Sequence, residues 1–118
     1  MTARRLVLMD AVRLLASDAA TQIAHLEQLG DGVEADELVL ELDDIASACD
    51  DMLANMELSA GERHAVQRLS ACASEMTATA EMSVWRRAAL AEHEQWRKLR
   101  RQAAECYAVL SGGAPKPD

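Results

Sequence analysis

The chain is 118 residues long, half of its residues are hydrophobic, and 20 Asp and Glu against 12 Lys and Arg give it a formal net charge of −8. A chain of this length forms one domain, and its acidity disfavours nucleic acid and other polyanions as partners. No apolar run approaches the ~18 residues that cross a bilayer, no uncharged segment is typical of a secretory signal, and three cysteines are widely spaced. These features predict a reduced, cytoplasmic protein that neither enters nor spans a membrane.

Helices are predicted along the whole chain. Proline is absent from the first 114 residues and phenylalanine from all of them, so the residues that break helices or favour strands are scarce. Thr2 is a candidate helix cap. Asp31 with Glu34, and Ser59 with Glu62, have the spacing of capping boxes, which predicts that further helices begin near these pairs.

The predicted fold is all-α, in a single domain over residues 1–110. Helices are expected at about 3–29, 32–57 and 60–110, and residues 111–118 are expected to form a disordered tail. In the first two segments apolar residues recur every three or four positions, which predicts an antiparallel helical hairpin. In the second segment these residues are Leu38, Leu42, Ile45, Cys49, Met52 and Met56.

The third segment is predicted either as one long kinked helix or as two helices that fold back on each other. Its apolar register slips near residues 77–83, where Thr and Ser also weaken the helix. The absence of a turn residue favours the kinked long helix. Together with the hairpin, this segment would complete a three- or four-helix bundle.

Paired acidic residues recur every seven positions in the second segment. From Leu14 to Glu62 inclusive there are 13 Asp or Glu and no Lys or Arg. The pairs lie outside the apolar seam and two helical turns apart, so they form a row on the surface. We call this set the acidic row: Asp36, Glu37, Asp43, Asp44, Asp50 and Asp51. The row is predicted to bind a basic partner. It could instead be a solvated helix face, or pair internally with the bases of the C-terminal helix.

No pattern of catalytic or metal-binding residues is recognisable. Carboxylates spaced about 10 Å apart along a helix do not converge as acid–base catalysis requires. No histidine follows a glutamate by three positions, and HxxxH, CxxC, GxSxG and glycine-rich phosphate loops are missing. Cys49, Cys72 and Cys106 lie on or beside apolar seams, where cysteine is usually a small core residue. We therefore expect no enzyme activity, no cofactor and no metal.

A second charged feature, residues 84–102, combines six of the twelve basic residues with both tryptophans. Trp85 and Trp96 share a helical face with Leu99 and Ala103, and this tryptophan stripe predicts a homodimer interface. A nucleic-acid site built from the neighbouring bases is disfavoured, because the tryptophans lie on the apolar seam and the net charge repels a polyanion.

The segments LMDAVRLLA (8–16) and DELVLELDDIASACDDMLANM (36–56), joined through a short Gly-Asp turn, resemble the small acidic all-helical immunity proteins of bacterial type VI secretion toxins. The resemblance covers residues 8–57, and residues 60–110 have no counterpart in it. It implies two seam-packed helices with an acidic surface, dimers, and a function in binding and silencing one toxin, whose basic surface the acidic row would face.

The predicted function is a non-catalytic, acidic, helical protein-binding module, an immunity- or inhibitor-like partner of a basic protein. A self-assembling structural or scaffold protein is the alternative. A nucleic-acid-associated regulator is a third possibility with less support.

Overall fold

The computed structural model describes residues 2–79 and 81–112, and every regular element in this part of the chain is helical. The α-helices are α1 (Ala3–Ala16), α2 (Ala19–Leu29), α3 (Asp36–Ala46), α4 (Cys49–Ala54), α5 (Ala60–Thr79), α6 (Ala89–Glu92) and α7 (Glu94–Leu110). A short 3-10 helix, Met82–Trp85, lies between α5 and α6. The all-α prediction is confirmed for the described residues.

The first predicted helix is two helices, so the prediction of one helix over 3–29 was wrong. Ser17 and Asp18 are extended, with ψ of 162° and 165°. The Asp18 carboxylate accepts the backbone N–H of Thr21 at 2.8 Å and so caps α2, and this hydrogen bond lowers the pKa of Asp18. Asp18, three residues before Thr21, is a helix-cap signal in the sequence. It was missed because the apolar spacing continues across it.

The second predicted helix, 32–57, begins later and is interrupted. The capping box expected at its start does not form, because the Glu34 carboxylate instead accepts the backbone N–H of Arg87 at 3.2 Å. Helix α3 therefore begins at Asp36 without a side-chain cap. The interruption between α3 and α4 falls at Ser47, whose hydroxyl donates to the Asp44 carbonyl at 2.8 Å and competes with the helical hydrogen bonds.

Met56 was predicted to be buried in the seam, but its side chain is 92% exposed. Helix α4 ends in a Schellman motif, in which the N–H of Glu57 donates to the Met52 carbonyl at 2.8 Å and that of Met56 to the Leu53 carbonyl at 3.1 Å. Met56 occupies the left-handed position of this motif with φ of 62°. Glycine is the usual residue at that position, because a Cβ atom strains the left-handed conformation.

Replacing Met56 with glycine should raise the free energy of unfolding by about 0.5–1 kcal/mol, because the strain of the left-handed backbone disappears. Chemical denaturation would measure the change. Met56→Ala is the matched control: it removes the same exposed side chain but keeps the Cβ, so its stability should stay near that of the original chain. Equal gains in both variants would show that the side chain, and not the backbone, is responsible.

The third predicted segment, 60–110, is split, so the single kinked helix was wrong. Its start is as predicted: Glu62 N–H donates to the Ser59 hydroxyl at 3.1 Å and Ser59 N–H to the Glu62 carboxylate at 2.9 Å. Helix α5 ends at Thr79, where the hydroxyls of Thr77 and Thr79 donate to carbonyls of the preceding turn at 2.9 and 2.8 Å. The chain then reverses, and α7 packs along α5. Residues 113–118 of the predicted tail lie outside the described residues.

The core lies among α1, α3, α5 and α7. Helix α7 packs against α1 and α5, and α3 packs against the same two helices, so α3 and α7 occupy opposite corners of the assembly. The fully buried side chains include Leu8, Leu15, Leu42, Met52, Leu69, Trp96 and Leu99. None of the described helices has both the length and the apolarity needed to cross a membrane.

Candidate functional site: an acidic groove between α1 and α3

The acidic row divides into two parts with different surroundings. Asp50 pairs with Arg63 at 2.5 Å, and Asp51 pairs with Arg4 at 2.7 Å. These bases belong to α5 and α1, whereas the sequence interpretation had considered the bases of the C-terminal helix. The other members of the row make no ion pair with any residue that the structure describes: they are Asp36, Glu37, Asp43 and Asp44.

Arg4 and Arg5 attach the start of α1 to the segment between α4 and α5. Arg4 also pairs with Glu57, and Arg5 pairs with Glu62 at 2.5 Å while donating to the Leu110 carbonyl at 2.8 Å. These hydrogen bonds lower the pKa of Glu57 and of Glu62. The carboxylates at this end of the molecule therefore have a structural role and are neutralised within the chain.

Asp44, one of the unpaired members of the acidic row, lines a groove of about 430 Å³ between α1 and α3. Its floor is apolar and is formed by Val7, Ala11, Leu14 and Ile45. Its rim is polar and is formed by Asp10, His25, Glu41 and Asp44. Val7 is 54% exposed, so part of this floor is open to solvent. The groove thus combines uncovered apolar surface with a carboxylate rim.

Two side-chain pairs fix the relative direction of α1 and the segment α3–α4. The His25 Nε2 atom lies 3.1 and 3.2 Å from the two carboxylate oxygens of Glu41, beside Leu14 near the end of α1. Arg4, near the start of α1, binds Asp51 of α4. The segment α3–α4 consequently runs antiparallel to α1, and the groove follows the direction of both.

Charge along the groove is only partly compensated. Asp10 has a solvent-exposed partner, Arg13, at 3.2 Å, a kind of pair that contributes little to stability. Glu41 lies 3.1 Å from His25, and both side chains are about 30% exposed. Asp44 makes no ion pair among the described residues, so the rim keeps negative charge that favours a cation approaching from outside.

The sequence interpretation identified only one residue of this groove, Asp44. The signal that it missed is the second apolar stripe of α1: Val7, Ala11 and Leu14 follow each other at intervals of four and three, which places them on one helical face. The main seam of α1 uses Leu8, Val12 and Leu15, which are all buried. A helix with two adjacent apolar stripes can pack one of them and leave the other uncovered.

Two of the bases near the tryptophans have a structural role, which weakens the nucleic-acid interpretation. Arg87 donates to the carbonyls of Val33 and Gly30 at 2.6 and 2.9 Å, beyond the end of α2. Arg100 donates to the Ser17 and Leu90 carbonyls, each at 2.9 Å. Both guanidinium groups are therefore occupied by backbone and are not free for phosphate.

The tryptophan stripe lies inside the molecule, so its assignment as an oligomer interface was wrong. Trp96, Leu99 and Ala103 are at most 1% exposed, and Trp85 is partly exposed. The two indoles pack edge to face with centroids 6.0 Å apart, and Trp96 Nε1 donates to the Val84 carbonyl at 2.7 Å. Helices of the same chain cover this stripe, so it provides no argument for the predicted homodimer.

The cysteines and histidines do not assemble into a reactive centre in the described part of the chain. Within residues 2–79 and 81–112, no three His, Cys, Asp or Glu side chains are grouped so that they could hold a metal ion. Burial raises the pKa of Cys49, and it raises the pKa of Cys106 to about 12. Both thiols are therefore protonated at neutral pH, the form that is a poor nucleophile.

The groove between α1 and α3 is thus the candidate binding site, with an apolar floor and a carboxylate rim that is only partly compensated. The resemblance of residues 8–57 to immunity proteins stays a prediction. No known protein family, no curated protein and no solved structure gives a significant match to this chain.

Proposed function

We propose that this protein is a non-catalytic binding module whose groove between α1 and α3 takes a basic segment of a protein partner. The observation that supports this proposal is the combination of uncovered apolar surface with a rim on which Asp44 makes no ion pair among the described residues, while Asp10 and Glu41 face only the solvent-accessible Arg13 and His25. Neither component would suffice alone, because isolated charges on a helix are usually solvated and single exposed apolar residues are common.

The energetics of such binding divide between floor and rim. The apolar floor would supply most of the affinity, since burial of apolar surface is the main favourable contribution to association. The rim carboxylates would orient a cationic partner and accelerate its encounter with the groove, and the net charge of −8 would add a long-range attraction. A basic toxin of the kind that immunity proteins silence is one partner with this chemistry.

Charge reversal in the groove tests the proposal. The double variant Asp10→Lys/Asp44→Lys should weaken binding of a cationic Leu/Lys peptide about tenfold or more, because repulsion replaces attraction at both sides of the rim. Fluorescence anisotropy with a labelled peptide at several salt concentrations would measure it. In the original chain, affinity should also fall as salt screens the rim.

The matched control is Glu75→Lys/Glu105→Lys, which alters exposed carboxylates on α5 and α7. Each replacement adds two positive units, so both double variants change the net charge from −8 to −4. The control should bind the peptide with affinity within about threefold of the original chain. An equal loss in the two double variants would mean that the peptide responds to net charge alone, and the proposed site would be wrong.

A further inference from the structure

We propose, as an extension that rests on the proposed function, that the segment bound in the groove is an amphipathic α-helix of about two turns with cationic residues on both sides of its apolar stripe. An extended peptide is the competing form. The shape, the backbone chemistry and the charge layout of the groove each favour the helix.

The length of the groove limits the length of its occupant. Along α1 the lining of the groove extends from Val7 to Leu14. These residues are seven positions apart, which corresponds to about 10 Å at 1.5 Å per residue. A helix of about eight residues, or two turns, spans this distance.

The floor has the alternation of large and small side chains that helix packing requires. Val7, Ala11 and Leu14 form a ridge along α1 in which a small side chain stands between two larger ones. Ala11 therefore leaves space between them, and Ile45 lines the same groove from α3. A Leu or Met side chain from a third helix would fit there, in the manner of a ridge that packs into a groove.

The backbone of the walls favours a helix over an extended segment. Both walls are α-helices whose backbone N–H and C=O groups already bond within each helix. An extended peptide would have no sheet edge to pair with here and would place unpaired amides over an apolar floor, which is costly. A helical peptide satisfies its own backbone and presents only side chains.

The rim indicates where the occupant carries its positive charges. Asp10 stands on the α1 side, and Glu41 and Asp44 stand on the α3 side, three residues apart on one helical face. Carboxylates thus border the apolar floor on both sides. A matching helix has Leu or Met at positions i, i+4 and i+7, with Lys or Arg flanking them on each side.

Two peptides of identical composition test this inference on the full-length protein. One arranges about eight Leu, Lys and Ala residues with helical periodicity, and the other arranges the same residues in alternation, which favours an extended form. The helical peptide should bind at least about tenfold more tightly and should gain helical circular dichroism on binding, as coupled folding requires. An Ala11→Phe variant should weaken its binding about tenfold, whereas Ala104→Phe on an exposed face of α7 should not.

The outcomes separate the helix from the proposed function. Equal binding of both peptides, abolished in Asp10→Lys/Asp44→Lys, would overturn the helical occupant and leave the basic partner in place. Failure of both peptides to bind, or binding that ignores Ala11→Phe and the rim variants alike, would overturn the proposed site itself. Self-association of the chain that the rim variants suppress would identify a second copy as the occupant and would also contradict the inference.

Discussion

Replacing Trp96 with alanine should lower the free energy of unfolding by about 3–5 kcal/mol, the range for removal of a buried aromatic side chain. The indole is 1% exposed, so its removal leaves a cavity in the core. The substitution also deletes the edge-to-face contact with Trp85 and the hydrogen bond to the Val84 carbonyl. Urea denaturation followed by circular dichroism would measure the loss.

Trp85→Ala is the matched control, since it removes the same indole from a partly exposed position. It should cost less than Trp96→Ala, because less apolar surface loses burial. Light scattering distinguishes a core position from an interface position. If Trp96 lay in an interface between copies, Trp96→Ala would change the measured mass and leave the free energy of unfolding unchanged. That result would contradict the core placement.

Composition and apolar spacing predicted the all-α class, because residues that favour helices occupy nearly every position and helix breakers are rare. The same spacing did not reveal where helices end. Ser17 and Asp18 interrupt an apolar pattern that continues almost in phase from α1 to α2. The interruption depends on one side chain that caps the backbone of Thr21, and a local hydrogen bond of this kind does not alter the periodicity of apolar residues.

The candidate site was partly predictable for a related reason. Periodicity placed the acidic row outside the seam, which holds for its members Asp43, Asp44, Asp50 and Asp51, all of which are exposed. It could not show which carboxylates are neutralised, because Arg4 and Arg63 are distant in sequence and reach the row only through the packing of α1 and α5. The groove likewise depends on which stripe of α1 is covered, and this is a property of the assembled helices.

For two bases of the C-terminal segment the sequence interpretation made the opposite error. It treated arginines that bind backbone carbonyls within the molecule as solvated side chains. Arg87 and Arg100 look like their exposed neighbours in sequence. Each lies where a helix ends and leaves backbone carbonyls without helical partners, and each binds those carbonyls. The end of α1 was not predicted, so the need for Arg100 could not be predicted either. The end near residue 29 was predicted, but the approach of Arg87 to it depends on the packing of distant segments.

Replacing Arg100 with methionine should lower the free energy of unfolding by about 2–4 kcal/mol, because several buried acceptors would lose their donor at once. Its guanidinium donates to the Ser17 carbonyl at the end of α1, to the Gln22 side chain in α2 and to the Leu90 carbonyl in α6, each at 2.9 Å. Burial lowers the pKa of Arg100, yet an arginine stays charged at neutral pH, and charged donors form the stronger hydrogen bonds.

Gln22 makes the loss of stability in Arg100→Met larger than the loss of a single hydrogen bond would be. It is fully buried, and its amide donates to the carbonyls of Leu14 and Leu15, each at 3.1 Å. Without Arg100 its oxygen would be buried and unpaired, which carries a desolvation cost. Arg101→Met is the matched control on an exposed neighbour, and it should change stability by less than about 0.5 kcal/mol.

A double-mutant cycle between Arg100→Met and Gln22→Leu tests whether the network is the cause. Gln22→Leu removes the oxygen that Arg100→Met would leave unpaired, so the double variant should lose clearly less stability than the sum of the single losses, by about 1 kcal/mol or more. Denaturation of the four proteins under one condition measures this coupling. Strictly additive losses, or equal losses for Arg100→Met and Arg101→Met, would show that the guanidinium does not stabilise the junction of α1, α2, α6 and α7 through these bonds.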